Sequence, residues 1–319
     1  GLTFKGGIHP YEGKELSNTK PIRILPPPEE VIIPLRQHAG APCRPLVKRG
    51  DEVLLGQKIA DSDALVSAPI HASVSGTVKA IETRPHPTGG SVDCIIITND
   101  GQDRLSPDLP APSDVDNLSQ EEIVKRIREA GIVGLGGAGF PTHVKLTPPK
   151  DKAIKTLILN GAECEPYLTA DHRLMVEHAE DVIYGARVLA KALGVTEIYI
   201  GVELNKPDAI AALRQAAQGT QVQVVGLQVK YPQGAEKQLI STIVGRQVPV
   251  GGLPMDVGVV VNNVGTAAAA AQTIRTGKPL YERIVTVSGE GIAEPQNFLV
   301  RIGTPFSALI AAAGGTKGT

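Results

Sequence analysis

The sequence predicts an α/β core around a mostly parallel sheet, with an all-β module before it and a small third module after it. Three observations carry this. Strand-like and helix-like segments alternate from Thr156 to Thr276, residues 1 to about 110 show almost no helical periodicity, and the alternation stops at Arg283. At about 100 to 200 residues per domain, 319 residues make two or three domains. The expected boundaries are 1–110, 111–280 and 281–319.

The first module is rich in proline, with Pro26, Pro27 and Pro28 in a row, and its short apolar runs Val31-Ile32-Ile33 and Cys94-Ile95-Ile96-Ile97-Thr98 read as strands. Ser106 to Asn117 has the Pro, Asp and Ser composition of a linker. Ser119-Gln120-Glu121-Glu122 is a capping box, and Ile123, Ile127 and Ala130 then share one face of a helix from Gln120 to Ala130. Strands follow at Thr156–Asn160, Glu197–Val202, Val222–Val229 and Val257–Val261. Between and after them, helices are expected at Asp171–Leu193, Pro207–Ala217, Glu236–Val244 and Thr266–Thr276. In the third module, Val285–Gly289 and Phe298–Ile302 read as paired strands, followed by a helix from Pro305 to Ala313.

Composition narrows the function classes. A net charge of -1, from 32 Lys plus Arg against 33 Asp plus Glu, excludes an electrostatic nucleic-acid binder. A hydrophobic content of 42% excludes disorder. With 35 Gly, 25 Pro, no Trp and 3% aromatics, the core must be built from Ala, Val, Ile and Leu in short elements. Cys43, Cys94 and Cys164 lie far apart without a C-x-x-C, so no disulfide framework or metal cradle is readable and a reducing, cytosolic compartment is the default. No signal-peptide pattern opens the chain, and the longest near-apolar run, Val257 to Ala271, is broken by Gly and Asn. The start at Gly1 without Met and the stop after Gly314-Gly315 are those expected of a fragment.

Four clusters carry candidate chemistry. Gly134-Leu135-Gly136-Gly137-Ala138-Gly139 satisfies G-x-G-x-x-G, but the dinucleotide fingerprint requires a strand before and a helix after, whereas a helix precedes and Phe140-Pro141-Thr142 follow. What survives is a backbone that reaches positive φ and exposes N–H groups to an anion; a glycine-rich connector is the alternative. Lys145 adds a positive charge for a phosphate or lies on the surface. At the end of the first core strand, Asn160-Gly161-Ala162-Glu163-Cys164-Glu165-Pro166 sits where open α/β sheets bind ligands. Glu163 and Glu165 suit acid–base work or ribose hydroxyls, or form a solvated loop, and Cys164 reads as a small buried residue. Asn262-Asn263 precede Val264-Gly265-Thr266 at a helix start, where amide side chains suit a ring edge or ribityl chain and the N-terminus favours anions. Tyr231-Pro232-Gln233-Gly234-Ala235-Glu236 is the fourth. The seven histidines show no metal-ligand spacing and read as structural or surface residues.

In this order the four motifs resemble those of the flavin- and NADH-binding flavoprotein of respiratory complex I and, more closely, of the RnfC family, the C subunits of Rnf ion-translocating oxidoreductases. The resemblance covers essentially the whole chain. Leu2 to Pro10 is similar to the start of that family. Val47-Lys48-Arg49-Gly50-Asp51, Ser67-Ala68-Pro69 and Ser75-Gly76-Thr77-Val78 resemble a biotinyl/lipoyl-type barrel-sandwich hybrid, without the Met-Lys-Met tip that carries biotin or lipoate. The segment from Val285 to Gly315 resembles a β-grasp module of the SLBB type.

The resemblance implies a Rossmann-like FMN- and NADH-binding core of the complex I type. By it, Gly134, Gly136, Gly137, Gly139, Lys145, Asn160, Glu163, Asn262, Asn263 and Thr266 contact FMN, while Phe140, Glu165 and Glu236 face NADH. It implies direct hydride exchange between NAD(H) and FMN with no catalytic side chain. Leu135, Ala162 and Ala235 replace Arg, Asp and Glu of the complex I pattern, so polar contacts to flavin are fewer. The family continues into a module with two 4Fe-4S clusters whose cysteine runs this chain lacks, so no metal site and at most partial activity are expected of it. The parent would pass electrons between NAD(H) and ferredoxin, indirectly and with other Rnf subunits, coupled to ion translocation. It would sit peripherally on the cytoplasmic side of the bacterial inner membrane, held through partner subunits. Two other readings are a non-catalytic adaptor resembling the A subunit of the Na+-translocating NADH:quinone reductase, and a carrier or ligand-sensing protein.

Overall fold

The first 24 residues of the chain, ahead of the first strand of the barrel sandwich, run along the other two modules; the computed structural model describes residues 1–318. Leu2 bridges Leu227, Ile8 bridges Tyr231, and β1 (Arg23–Ile24) pairs with Phe298 and Leu299. The physical reason is an open sheet edge. Leu2 N donates to Gly226 O at 2.9 Å and Leu2 O accepts from Gln228 N at 2.8 Å, which satisfies backbone groups that the core sheet would leave bare.

The barrel-sandwich module starts at β2 (Glu30–Pro34) and continues through β3 (Arg44–Pro45), β4 (Glu52–Val53), β5 (Lys58–Asp61), β6 (Ile70–His71), β7 (Gly76–Pro85) and β8 (Ser91–Asn99). Two antiparallel sheets, ordered β2-β8-β7-β4 and β3-β5-β6, face each other. Alternation along β2 sends Val31 and Ile33 inward, where they meet Val53, Ile59, Ile70, Val78, Ile95 and Ile97. Ser106 to Asn117, expected as a linker, is packed rather than free: Val115 is buried and its N–H donates to Tyr184 Oη at 2.9 Å.

In the core, α1 (Gln120–Glu129) begins at the expected capping box: Glu122 N donates to Ser119 Oγ at 3.2 Å and Ser119 N to Glu122 Oε2 at 2.7 Å. Then come α2 (Thr142–Lys145), β9 (Thr156–Gly161), α3 (Ala170–Glu177), α4 (Ala179–Leu193), β10 (Glu197–Glu203), α5 (Pro207–Ala216) and β11 (Val222–Leu227). They are followed by α6 (Glu236–Val244), β12 (Val259–Asn263) and α7 (Val264–Thr276). The four strands are parallel in the order β11-β10-β9-β12. Their unbroken apolar runs follow from burial on both faces. Leu157 and Leu159 point to the side of α1, α4 and α7, while Ile158, Val259 and Val261 point to Leu239 and Ile240 of α6.

The single helix expected over Asp171–Leu193 is two. His178 leaves helical geometry at φ -132° and ψ 39°, and α4 restarts with Glu180 and Asp181 in its first turn, where the helix dipole favours acid. The break lets α3 turn onto α5 and the third module while α4 lies along α7. That module comprises β13 (Glu282–Val287), β14 (Gln296–Arg301) and α8 (Phe306–Ala312), in a sheet ordered β1-β14-β13 over a small core of Phe298, Val300, Leu309 and Ala313.

The alanine-rich α7 has a packing reason. A Cβ at Gly185 of α4 would lie 1.9 Å from Ala267 O, so the two helices meet with almost no side chain between them. Gly185→Ala must push them apart, and overpacking of this kind costs about 1–3 kcal/mol. Thermal unfolding of the variant is expected several degrees below the parent, and an unchanged midpoint would show that the contact is not tight.

Candidate functional site

Chain growth in the core sheet reverses once. It runs β9, β10, β11 to one side and then returns to place β12 on the other side of β9, so the carboxyl ends of β9 and β12 form the topological switch point, the crevice where such sheets bind ligands. Asn160 and Asn263 face each other across it in register. Two of the four motifs therefore meet where no crossover covers the strand ends.

The glycine motif lies against this crevice. Gly134 N donates to Phe140 O at 2.9 Å and Val133 bridges Pro141, closing the loop, and α2 follows it at once, a one-turn helix without a signal in the sequence. Leu135 N donates to Thr266 Oγ1 at 3.0 Å in the first turn of α7. Gly136 packs against Asn263, and a Cβ there would sit 2.9 Å from Asn263 Nδ2, so a side chain at 136 would have to displace that amide. Gly137 is exposed with open space around it. Gly139 turns away to the barrel-sandwich module, its φ +64° and its carbonyl accepting from Ala39 N at 3.0 Å; Phe140 beside it is half-buried.

The polar side chains form one network. Asn160 Nδ2 donates to Gly234 O at 2.7 Å, bringing in the fourth motif. Glu163, held at φ +47°, accepts from Asp171 N at 2.6 Å and His172 N at 3.1 Å and so caps α3. Asn263 caps α7 through Gly265 N at 2.7 Å and donates its Nδ2 to Asp171 Oδ2 at 2.7 Å. Lys145 donates to Val261 O at 2.5 Å and pairs with Glu236 at 3.3 Å. Glu165 is exposed, and its hydrogen bond and charge push the Tyr231 phenol up. Cys164 accepts from Gly234 N at 3.4 Å and burial pushes its thiol up, which suits a small packed residue rather than a nucleophile.

Three buried polar atoms around these strand ends have no partner among the described residues. They are Asn262 Nδ2, on a residue 4% exposed, Gln233 Nε2 and Thr142 Oγ1. Buried donors are rarely left unmet, so an elongated polar ligand with acceptors along its length, such as a ribityl phosphate, fits this edge.

The loop from Ala162 to Leu168 is pinned from behind by two buried lysines that sequence reasoning missed. Lys14 donates to Glu163 O, Glu165 O and Leu168 O at 2.8, 2.9 and 2.6 Å, and burial holds its ammonium below the usual lysine range. Lys206, fully buried beside the 1% exposed Glu203, donates to Ala162 O at 2.7 Å. A cavity of about 300 Å³ lined by Glu12, Lys14, Cys164, Glu203 and Lys230 lies on that side. Asp171 and Arg283 were missed as well. Neither sits in a motif, and they reach the crevice only through the fold.

Three family models match the chain. One described as the Nuo51 FMN-binding domain covers residues 127–272, the RnfC barrel sandwich hybrid domain covers 2–102, and the SLBB domain covers 284–319. The C subunit of the proton-translocating ferredoxin:NAD(+) oxidoreductase complex of Clostridium ljungdahlii is 53% identical over 315 residues, 99% of this chain and 69% of that protein. Its counterpart in the Na(+)-translocating complex of Acetobacterium woodii is 51% identical, over 98% of this chain and 71% of that protein. The C subunit of the ion-translocating oxidoreductase complex of Rhodobacter capsulatus is 45% identical, over 98% and 61%. Among solved structures, an NAD+-reducing NiFe hydrogenase in its air-oxidized state superposes with a TM-score of 0.53 at 26% identity, over 65% of this chain and 41% of that one.

Asp171 offers a test of the network. Burial first, then the neighbouring Glu163, pushes its carboxyl from 3.8 up to about 7. The folded chain therefore holds a proton between about pH 4 and 7 that the unfolded chain releases, and stability falls as pH rises through that window. Asp171→Asn keeps an acceptor for Asn263 and removes the charge. The thermal midpoint of the parent is expected to drop from pH 5 to pH 8 and that of the variant to drop less, by a difference of a few degrees. Parallel curves would place the protonation elsewhere.

Proposed function

The chain belongs to the RnfC family, the C subunits of ion-translocating ferredoxin:NAD(+) oxidoreductase complexes, and from that premise we propose that it carries the flavin- and nicotinamide-binding site of such a complex. The observation that carries the reading is the switch-point crevice, where the glycine loop, the amide side chains and unmet buried donors converge.

FMN held here would supply the exchange between a two-electron hydride donor and one-electron acceptors. The chain's own residues bind and orient. Exposed backbone at Gly136 and Gly137 lets a flat ring approach without a Cβ in the way. Asn262 offers a donor to the ring edge or ribityl hydroxyls, and α7 presents its N-terminus to a phosphate. Asn160, Glu163, Asn263 and Thr266 act one step back, since their side chains are engaged with the chain itself and set the shape of that surface. Lys145 and Glu236, as an ion pair, with exposed Glu165 and half-buried Phe140 of the glycine loop, are the residues assigned to the nicotinamide side. No side-chain acid or base is required by direct hydride exchange. Electron passage to 4Fe-4S clusters and ferredoxin, coupling to ion movement and a peripheral place on the cytoplasmic face belong to the same proposal for the longer protein. No described helix is long and apolar enough to cross a membrane.

Purified chain supplied with FMN, NADH and an artificial electron acceptor is expected to bind flavin and consume NADH. Absence of both, at excess FMN, would favour the adaptor reading. Glu165→Gln should lower kcat/KM for NADH by at least about tenfold, the scale of one charge-assisted contact, while FMN affinity changes less than about twofold. An equal loss of both would contradict its place on the NADH side.

A further inference from the structure

We infer that Arg283, a residue of the third module, is the cationic contact for the FMN phosphate, so that the flavin site is completed across two modules. The inference rests on the proposed flavin reading of the crevice and adds to it a residue outside all four motifs.

Arg283 lies on β13, and its guanidinium donates to Leu135 O of the glycine loop at 2.9 Å. Leu135 N is bonded to Thr266 Oγ1, and the Leu135 Cβ is 3.7 Å from where a Cβ on Gly265 would be. One residue, Leu135, thus links the guanidinium to the first turn of α7. That 13-residue helix turns its N-terminus to the crevice, and beside it Asn262 Nδ2 is buried without a partner.

Arg283 is a cation here without a direct ion pair, although the Asp171 carboxyl lies close enough to act on its charge. Glu163 stands near the α7 cap behind Asp171, and a phosphate brought there adds further negative charge. Lys145 is engaged with Glu236 and Val261 O, and Lys14 and Lys206 are held by backbone carbonyls behind the loop. Arg283 makes no ion pair among the described residues, and its one hydrogen bond, to Leu135 O, uses one of five N–H donors. The planar fork can keep the loop carbonyl and bind phosphate oxygens together, which would fix the glycine loop when the anion arrives. Position 135, inside the loop, is leucine and contributes no charge.

The test compares FMN with riboflavin, which lacks the phosphate, by flavin fluorescence titration of the parent chain, Arg283→Gln and Arg283→Lys. Arg283→Gln should weaken FMN binding about ten- to a hundredfold, the scale of a charge-assisted phosphate contact, and leave riboflavin within about twofold. Arg283→Lys should recover part of the loss, and added salt should weaken FMN binding to the parent more than to Arg283→Gln. Equal losses for FMN and riboflavin would mean that Arg283 only holds the loop, and would overturn the inference. So would loss of NADH binding with FMN binding intact, which would put the guanidinium on the dinucleotide. A parent that binds FMN only as well as Arg283→Gln does sinks the inference alone, whereas a parent that binds neither flavin sinks the reading beneath it too.

Discussion

The reversal of chain growth between β9 and β12 is the constraint on which the rest of the site depends. A parallel sheet that grows outward in one direction covers each strand end with the crossover to the next. At the point of reversal two paired strands end side by side and the chain leaves them by separate connections. Backbone groups there need partners, and the chain supplies them from a distance. Asn263 caps α7, its partner Asp171 belongs to α3, and the glycine loop comes in from the segment between α1 and α2. Gly136 packs directly on Asn263, so bare backbone lies beside the amide that caps α7.

The same edge is stiffened from its far side. Lys14 gathers three carbonyls of one loop, and Lys206 a fourth, with Glu203 as the buried counter-charge. Burying an ammonium is costly unless its donors are matched, and here backbone oxygens rather than carboxylates do most of the matching. The result is a loop whose positive-φ residues, Glu163 at +47° and Tyr167 at +68°, are held in place with the Glu163 carboxylate directed to the α3 cap. Removing either lysine would leave carbonyls unmet in a buried place and loosen the loop from Ala162 to Leu168.

The architecture was largely legible because periodicity and capping are local. Ser119 and Glu122 announced α1, and the two-sided apolar runs of β9 and β12 announced a buried parallel sheet. The four motifs were legible for a related reason, since glycine and tandem asparagine at strand ends are rare without a backbone purpose. What escaped was set by distance in sequence. Lys14 is 149 residues from Glu163 and Arg283 is 148 from Leu135, and no window of residues joins them. The break at His178 escaped because both halves carry a helical pattern, and only the competing demands of α5 and α7 separate them.

The placement of the first 24 residues changes how the three modules depend on one another. They bridge the edge of β11, cap the Glu163 loop through Lys14, and pair with β14, so one segment ties the core sheet to the third module. The barrel-sandwich module reaches the same site from another side, through Ala39 N on Gly139 O. A crevice bounded by four separate pieces of chain is not the property of the α/β core alone. Its geometry is fixed only when all of them are docked, and a displacement of any outer module would reach the glycine loop through a single hydrogen bond: Ala39 on one side, Arg283 on the other.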